Sequence, residues 1–163
     1  MLFQSFAKNF GLYGERAGCY STICGSAAEK DIVMSRIKQI ARPIYSNPPI
    51  HGARIVDIIL GDAELTSMWH QDLRDMSGRM QEMRHGLRNK LTALGNEHDW
   101  SHVTNQIGMF AYTGLNKDQV NELRENYAIY MTMDGRISIA GLNSGNLDYV
   151  ADAFNKVTAG KSF

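Results

Sequence analysis

Hydrophobic positions along the chain recur mostly at steps of three and four, and the longest series is Leu65, Trp69, Leu73, Met76, Met80, Met83, Leu87, Leu91 and Leu94. An apolar stripe at that spacing predicts one helix over about 62–94, with Asp62 as its N-cap. At about 1.5 Å per residue such a helix is roughly 50 Å long, too long for one small body. It is expected to bridge two, a first over 1–75 and a second over 76–163. Upstream, Ser26 and Glu29 form a capping box for a helix bearing Val33, Ile37 and Ile40. Pro43 disfavours the α region at Arg42, so that helix should stop near Ala41. A rigid Tyr45-Ser46-Asn47-Pro48-Pro49 loop follows, and then Ala53, Val56, Ile59 and Leu60 predict a further helix. Cys19-Tyr20-Ser21-Thr22-Ile23-Cys24 reads as a short strand. Beyond the long helix the expected order is a strand over 107–113, a helix capped by Asn116, and strands over 128–133 and 136–140 joined by a tight Asp134-Gly135 turn. A last helix carries Leu147, Val150, Phe154 and Val157 on one face. The pattern is that of an α/β chain without internal repeats.

Composition narrows the function classes. The 163 residues carry 17 Lys+Arg and 17 Asp+Glu, a formal net charge of zero. A nucleic-acid partner is not expected, because such binders draw affinity from neutralised phosphates. The longest apolar run, Ile55-Val56 with Ile58-Ile59-Leu60, is broken by Asp57, so no membrane span is expected. With only Cys19 and Cys24, a disulfide framework is not expected, and both cysteines read as buried small hydrophobes. The first residues show no targeting pattern.

The opening segment holds the chemistry. In Ser5-Phe6-Ala7-Lys8-Asn9-Phe10-Gly11-Leu12-Tyr13-Gly14-Glu15-Arg16-Ala17-Gly18, a hydroxyl precedes a lysine by three positions and an arginine follows it by eight. A lysine hemmed in by close-packed backbone near a cation can be kept partly neutral and nucleophilic toward a carbonyl. Ser5 and Arg16 could hold an anion such as a phosphate. The spacing alone equally allows a surface lysine and an ordinary salt-bridged arginine in a glycine-rich turn.

This segment resembles, position by position, the lysine-attachment signature of the class I aminotransferases, which use pyridoxal phosphate. Three further blocks resemble the aspartate aminotransferase family in the same order. They are Arg42-Pro43-Ile44-Tyr45-Ser46-Asn47-Pro48-Pro49 with Gly52-Ala53-Arg54-Ile55-Val56, Gln106-Ile107-Gly108-Met109-Phe110 with Thr113-Gly114-Leu115, and Asp134-Gly135-Arg136-Ile137-Ser138-Ile139-Ala140-Gly141-Leu142. The resemblance implies a fold-type I transferase, of which this chain matches the end of the large domain, the connecting helix and the small domain. It implies amino-group transfer between L-aspartate and 2-oxoglutarate, giving oxaloacetate and L-glutamate. Lys8 would bond to the cofactor and carry the proton, and Ser5 and Arg16 would hold its phosphate. Arg136 would clamp the substrate α-carboxylate and Arg42 would read the distal one, each as a bidentate fork. Arg42 would be contributed across a homodimer interface, and Phe110 would stand beside the substrate. The substrates implied are small dicarboxylate amino and keto acids.

Family residues that precede the matched part have no counterpart in these 163 residues, including the carboxylate that pairs with the pyridine nitrogen. An alternative is therefore a catalytically incomplete paralogue that acts only as a binding protein. Gly14 and Ser144-Gly145-Asn146 resemble mitochondrial members slightly more than cytoplasmic ones. No metal site is expected: His98 and His102 lie four apart, yet lack supporting ligands and read as surface or loop histidines. Met68, Met76, Met80 and Met83 read as core, or as exposed if their usual cover lies elsewhere.

Overall fold

The computed structural model describes residues 1–161, which divide into two compact units, Met1–Leu73 and the described residues from Arg74 onward. In the first unit, β1 (Leu2–Ser5) pairs antiparallel with β2 (Gly18–Ser21), Ser5 opposite Gly18. Two helices follow, α1 (Ala27–Tyr45) and α2 (His51–Gly61). Helix α3 (Ala63–Ala93) begins in this unit and ends in the next.

Local chemistry explains most of these boundaries. The Ser26 hydroxyl accepts the Glu29 N–H, and the Glu29 carboxylate reaches back to the Gly25 N–H. Asp62 caps α3 by accepting from the N–H groups of Glu64 and Leu65. Helix α1 does not stop near Ala41: Pro43 lies inside it, and the Ser46 N–H closes the last turn on the Arg42 carbonyl. Proline so close to a C-terminus removes only one intrahelical bond, less than the gain from an added turn. Strand β1 goes unpredicted, because Leu2 to Ser5 has neither alternation nor a following turn signal. Cys19 is exposed and Cys24 half-buried, which corrects the expectation of two buried thiols; β2 is an edge with no buried face.

The second unit holds α4 (Ser101–Asn105), β3 (Phe110–Tyr112), α5 (Lys117–Tyr127), β4 (Arg136–Ser138), a 3-10 turn (Ile139–Gly141) and α6 (Leu147–Thr158). Its core joins Leu87 and Leu91 of α3 to Trp100, Val103, Leu123, Ile139, Phe154 and Val157. Each large apolar side chain so buried contributes about 1.5–3 kcal/mol. Asn116 and Gln119 complete a full capping box on α5. The expected strand over 128–133 is not formed. Ala128 takes the left-handed conformation as the α5 C-cap, with φ 51°, and turns the chain out of register for a ladder. Strand β4 pairs instead with β3, Phe110 opposite Ser138 and Tyr112 opposite Arg136. No helix among the described residues is long and apolar enough to cross a membrane.

Candidate active site

The turn that joins β1 to β2 is shaped by its own backbone. The Phe6 N–H extends the ladder to the Ala17 carbonyl at 3.1 Å, and the N–H groups of Phe10 and Leu12 both fold back onto the Phe6 carbonyl. The Ala7 N–H donates to the Ser5 hydroxyl at 3.2 Å. Ala7 is buried, Phe6 and Phe10 are half-buried, and the Lys8 side chain between them points to the exposed face. It is not hemmed in by backbone as the glycine-rich sequence suggests, because the turn spends its buried positions on the neighbouring apolar residues. Its Nζ lies 5.2 Å from the centre of the Tyr13 ring.

Arg16 sits in the left-handed region, φ 52°, and donates to the Tyr13 carbonyl at 3.0 Å. Helix α2 holds this segment closely. A Cβ at Gly52 would come within 2.8 Å of Glu15 Cβ and 3.0 Å of Ala17 Cβ, so glycine is needed for the approach. Ser5 and Arg16 line one open cleft of about 280 Å³ with Gln4, Ala17 and Gly18. Neither Lys8 nor Arg16 is paired with a carboxylate among the described residues. Lys8 lies on the same β-turn-β unit but does not line that cleft; by chemistry the guanidinium fork and hydroxyl suit a phosphate, and the amine suits an aldehyde carbonyl.

Arg42, near the end of α1, donates to the Ser46 hydroxyl at 3.2 Å and borders a second open cleft with Lys38, Asn47 and Pro48. Its contacts are all local, and none is with Ser5, Lys8 or Arg16. In the second unit Arg136 and Phe110 meet across the β3–β4 pair, the guanidinium carbon 5.0 Å from the ring centre. Both are exposed on the outer face of the pair, while Ala111 and Ile137 point into the core. Phe110 is thus a surface aromatic covered by a cation, not a core residue.

Two residues contribute contacts that the pattern of apolar positions does not foretell: Trp69, expected only as part of the apolar stripe, and Arg84. Trp69 donates its indole N–H to the Asn9 carbonyl at 2.8 Å and stacks on Phe10. Arg84 is buried and donates to three carbonyls near β3. Arg84 had a readable signal, since it follows Met80 by four and precedes Leu87 by three on the apolar stripe. The two histidines find carbonyl partners: His98 faces those of Thr158 and Lys161, and His102 those of Asp99 and Thr113. No cluster of three or more metal-type ligands occurs among the described residues.

Residues 1–154 match the family described as aminotransferase class I and II. The chain is 50% identical over 155 residues to the mitochondrial aspartate aminotransferase of Arabidopsis thaliana, covering 95% of this chain and 36% of that relative. Among solved structures, a mitochondrial aspartate aminotransferase from Trypanosoma brucei superposes with a TM-score of 0.91 at 48% identity, covering 95% of this chain and 41% of the other. An aromatic-amino-acid aminotransferase from Burkholderia pseudomallei, covalently bound to pyridoxal phosphate, gives a TM-score of 0.91 at 46% identity, covering 95% and 39%. The chain therefore spans well under half the length of the relatives it matches.

Proposed function

The chain belongs to the class I and II aminotransferases, and from that membership we propose that it works in aspartate aminotransferase chemistry, with Lys8 as the covalent anchor for pyridoxal phosphate. The observation that carries this reading is that Ser5 and Arg16 line one cleft of the β1–β2 unit, with Lys8 exposed on the same turn and free of any carboxylate among the described residues. When bound, the cofactor supplies an aldehyde carbon for an amine and a conjugated ring that takes up electron density from the substrate Cα. Ser5 and Arg16 would hold its phosphate, Arg16 by N–H groups that it does not donate to Tyr13.

Lys8 has two tasks. Its Nζ would hold the cofactor through the aldehyde carbon and, when free, would act as the base that takes the proton from the substrate Cα and as the acid that gives it back. A lysine suits both because its stem is flexible and its amine is nucleophilic when neutral. Arg136 clamps the substrate α-carboxylate, with the Phe110 ring fixing one face of its guanidinium. Arg42 reads the distal carboxylate, from a partner subunit in a homodimer. A four- or five-carbon dicarboxylate is selected because its loss of either fork leaves a carboxylate poorly paired. The names of the Arabidopsis and Trypanosoma relatives support aspartate as substrate and a mitochondrial setting.

A second reading is a non-catalytic binding protein, for which α1, with none of its 19 residues buried among the described residues, offers a face to a partner. A coupled assay for oxaloacetate, run on the chain with pyridoxal phosphate, L-aspartate and 2-oxoglutarate, separates the two. Turnover that Lys8→Ala abolishes supports the enzyme. Turnover that survives Lys8→Ala refutes the role of Lys8, and no turnover at any chain concentration favours the binding protein.

A further inference from the structure

Arg84 is 3% exposed, and its guanidinium is spent entirely on backbone oxygens. One terminal nitrogen donates to the Val103 carbonyl at 2.6 Å; the other donates to the carbonyls of Gly108 at 2.9 Å and Phe110 at 2.8 Å. No carboxylate of the described residues pairs with it, and burial alone pulls its pKa below the ordinary arginine value. A charge held in this way stabilises little, since an apolar side chain of similar volume on the same stripe would avoid the desolvation cost. What the fork does provide is placement: it ties Val103 of α4, the following loop and the first residue of β3 to one point on α3.

Phe110 is where this placement becomes chemical. Its carbonyl is gripped by Arg84 and its ring faces the Arg136 guanidinium at 5.0 Å. Strand β4, which carries Arg136, is held at its exit by the same helix, for Arg79 donates to the carbonyls of Ala140 at 3.0 Å and Leu142 at 2.7 Å. We propose that Arg84 is a positioning residue for carboxylate recognition: it sets the β3 backbone at Phe110 and, through the Phe110 ring, the direction of the Arg136 fork. The inference rests on the reading of Arg136 as the substrate-carboxylate arginine, but its geometric half stands without it.

The test compares wild type, Arg84→Met and Arg84→Lys in the full chain by two readouts. The first is the side-chain Nε–H resonance of Arg136 in a nitrogen-15 spectrum, assigned by its loss in Arg136→Lys and displaced by the Phe110 ring current. The second is the dissociation constant for 2-oxoglutarate. Arg84→Met is expected to shift the Arg136 resonance toward its position in Phe110→Leu, while the amides of Val150, Phe154 and Val157 stay in place. Affinity for 2-oxoglutarate should fall about tenfold, the usual scale for one misaligned charge-assisted contact. Arg84→Lys, which keeps the charge without the fork, should fall between, and it supplies the same readout if Arg84→Met does not fold. An Arg136 resonance unmoved in the folded variants overturns the proposal. A resonance that moves in a chain whose wild type binds no dicarboxylate upholds the placement by Arg84 and refutes the carboxylate role of Arg136.

Discussion

Trp69 donates its indole N–H to the carbonyl oxygen of Asn9, 2.8 Å away and one residue past Lys8. The same indole stacks on Phe10, ring centres 4.5 Å apart and planes 15° from parallel. The lysine turn is thus fastened to α3 by a polar and an apolar contact from a single side chain. Trp69→Ala removes both, and should destabilise the first unit by about 2 kcal/mol, the sum of one hydrogen bond and one aromatic pair. Trp69→Phe, which keeps the stack and loses the donor, should recover about half. Urea unfolding followed by far-ultraviolet circular dichroism measures both; equal midpoints for the three proteins contradict the fastening.

Acid should loosen the mount of Arg136. The Thr132 hydroxyl donates to the Asp134 carboxylate, and with the Arg136 N–H it holds the Asp134 carboxyl below the usual range. The folded chain favours the ionised form, so this stabilisation is complete above the ordinary carboxylate pKa and is lost as pH falls through the lowered value. Thr132→Val should move the Asp134 titration upward, read from its side-chain carboxyl carbon by NMR. An unchanged midpoint removes Thr132 as the cause.

Gly135, just before β4, has φ +82°, and a Cβ there would meet the Leu115 carbonyl oxygen at 2.6 Å. Its own carbonyl accepts from the Thr113 N–H at 2.9 Å and from the Thr113 hydroxyl at 2.7 Å. Gly135→Ala should cost the second unit roughly 1–3 kcal/mol through the strained φ alone, and more from the clash. A thermal melt within error of wild type contradicts this.

The α3 stripe separates what periodicity reveals from what it does not. Leu87 and Leu91 are fully buried, Met80 and Met83 pack at the edge of the core, and Leu65, Met68, Met76 and Leu94 are exposed. Leu87→Ala should therefore cost about 3 kcal/mol or more, and Leu65→Ala well under 1 kcal/mol. Similar losses at both positions, by urea titration, refute the burial pattern.

The same contrast governs the rest of the fold. Capped helices were legible because their signals are local: Ser26, Asp62 and Asn116 each accept the N–H groups their sequence positions imply. The strands were less so. The 128–133 segment is a short apolar run between turn signals, but it forms no strand because Ala128 takes the left-handed cap and β4 pairs with β3 instead, which no local pattern encodes. The proposal of Ser5, Lys8, Arg16, Arg42, Phe110 and Arg136 as site residues comes from the family resemblance, not from any local pattern. Trp69 and Arg84 fall on the apolar stripe of α3, but what they hold was not legible, since both act on backbone oxygens and a carbonyl leaves no trace in a sequence.

The most direct measurement concerns Lys8 itself. The chain is incubated with pyridoxal phosphate, reduced with borohydride, digested and mapped by mass spectrometry, with Lys30, Lys38 and Lys90 as internal controls for non-specific labelling. A phosphopyridoxyl group is expected to concentrate on Lys8 and to be lost from that peptide when Arg16→Ala weakens the phosphate contacts. Labelling spread evenly over the lysines, or absent from Lys8, would contradict the role of Lys8.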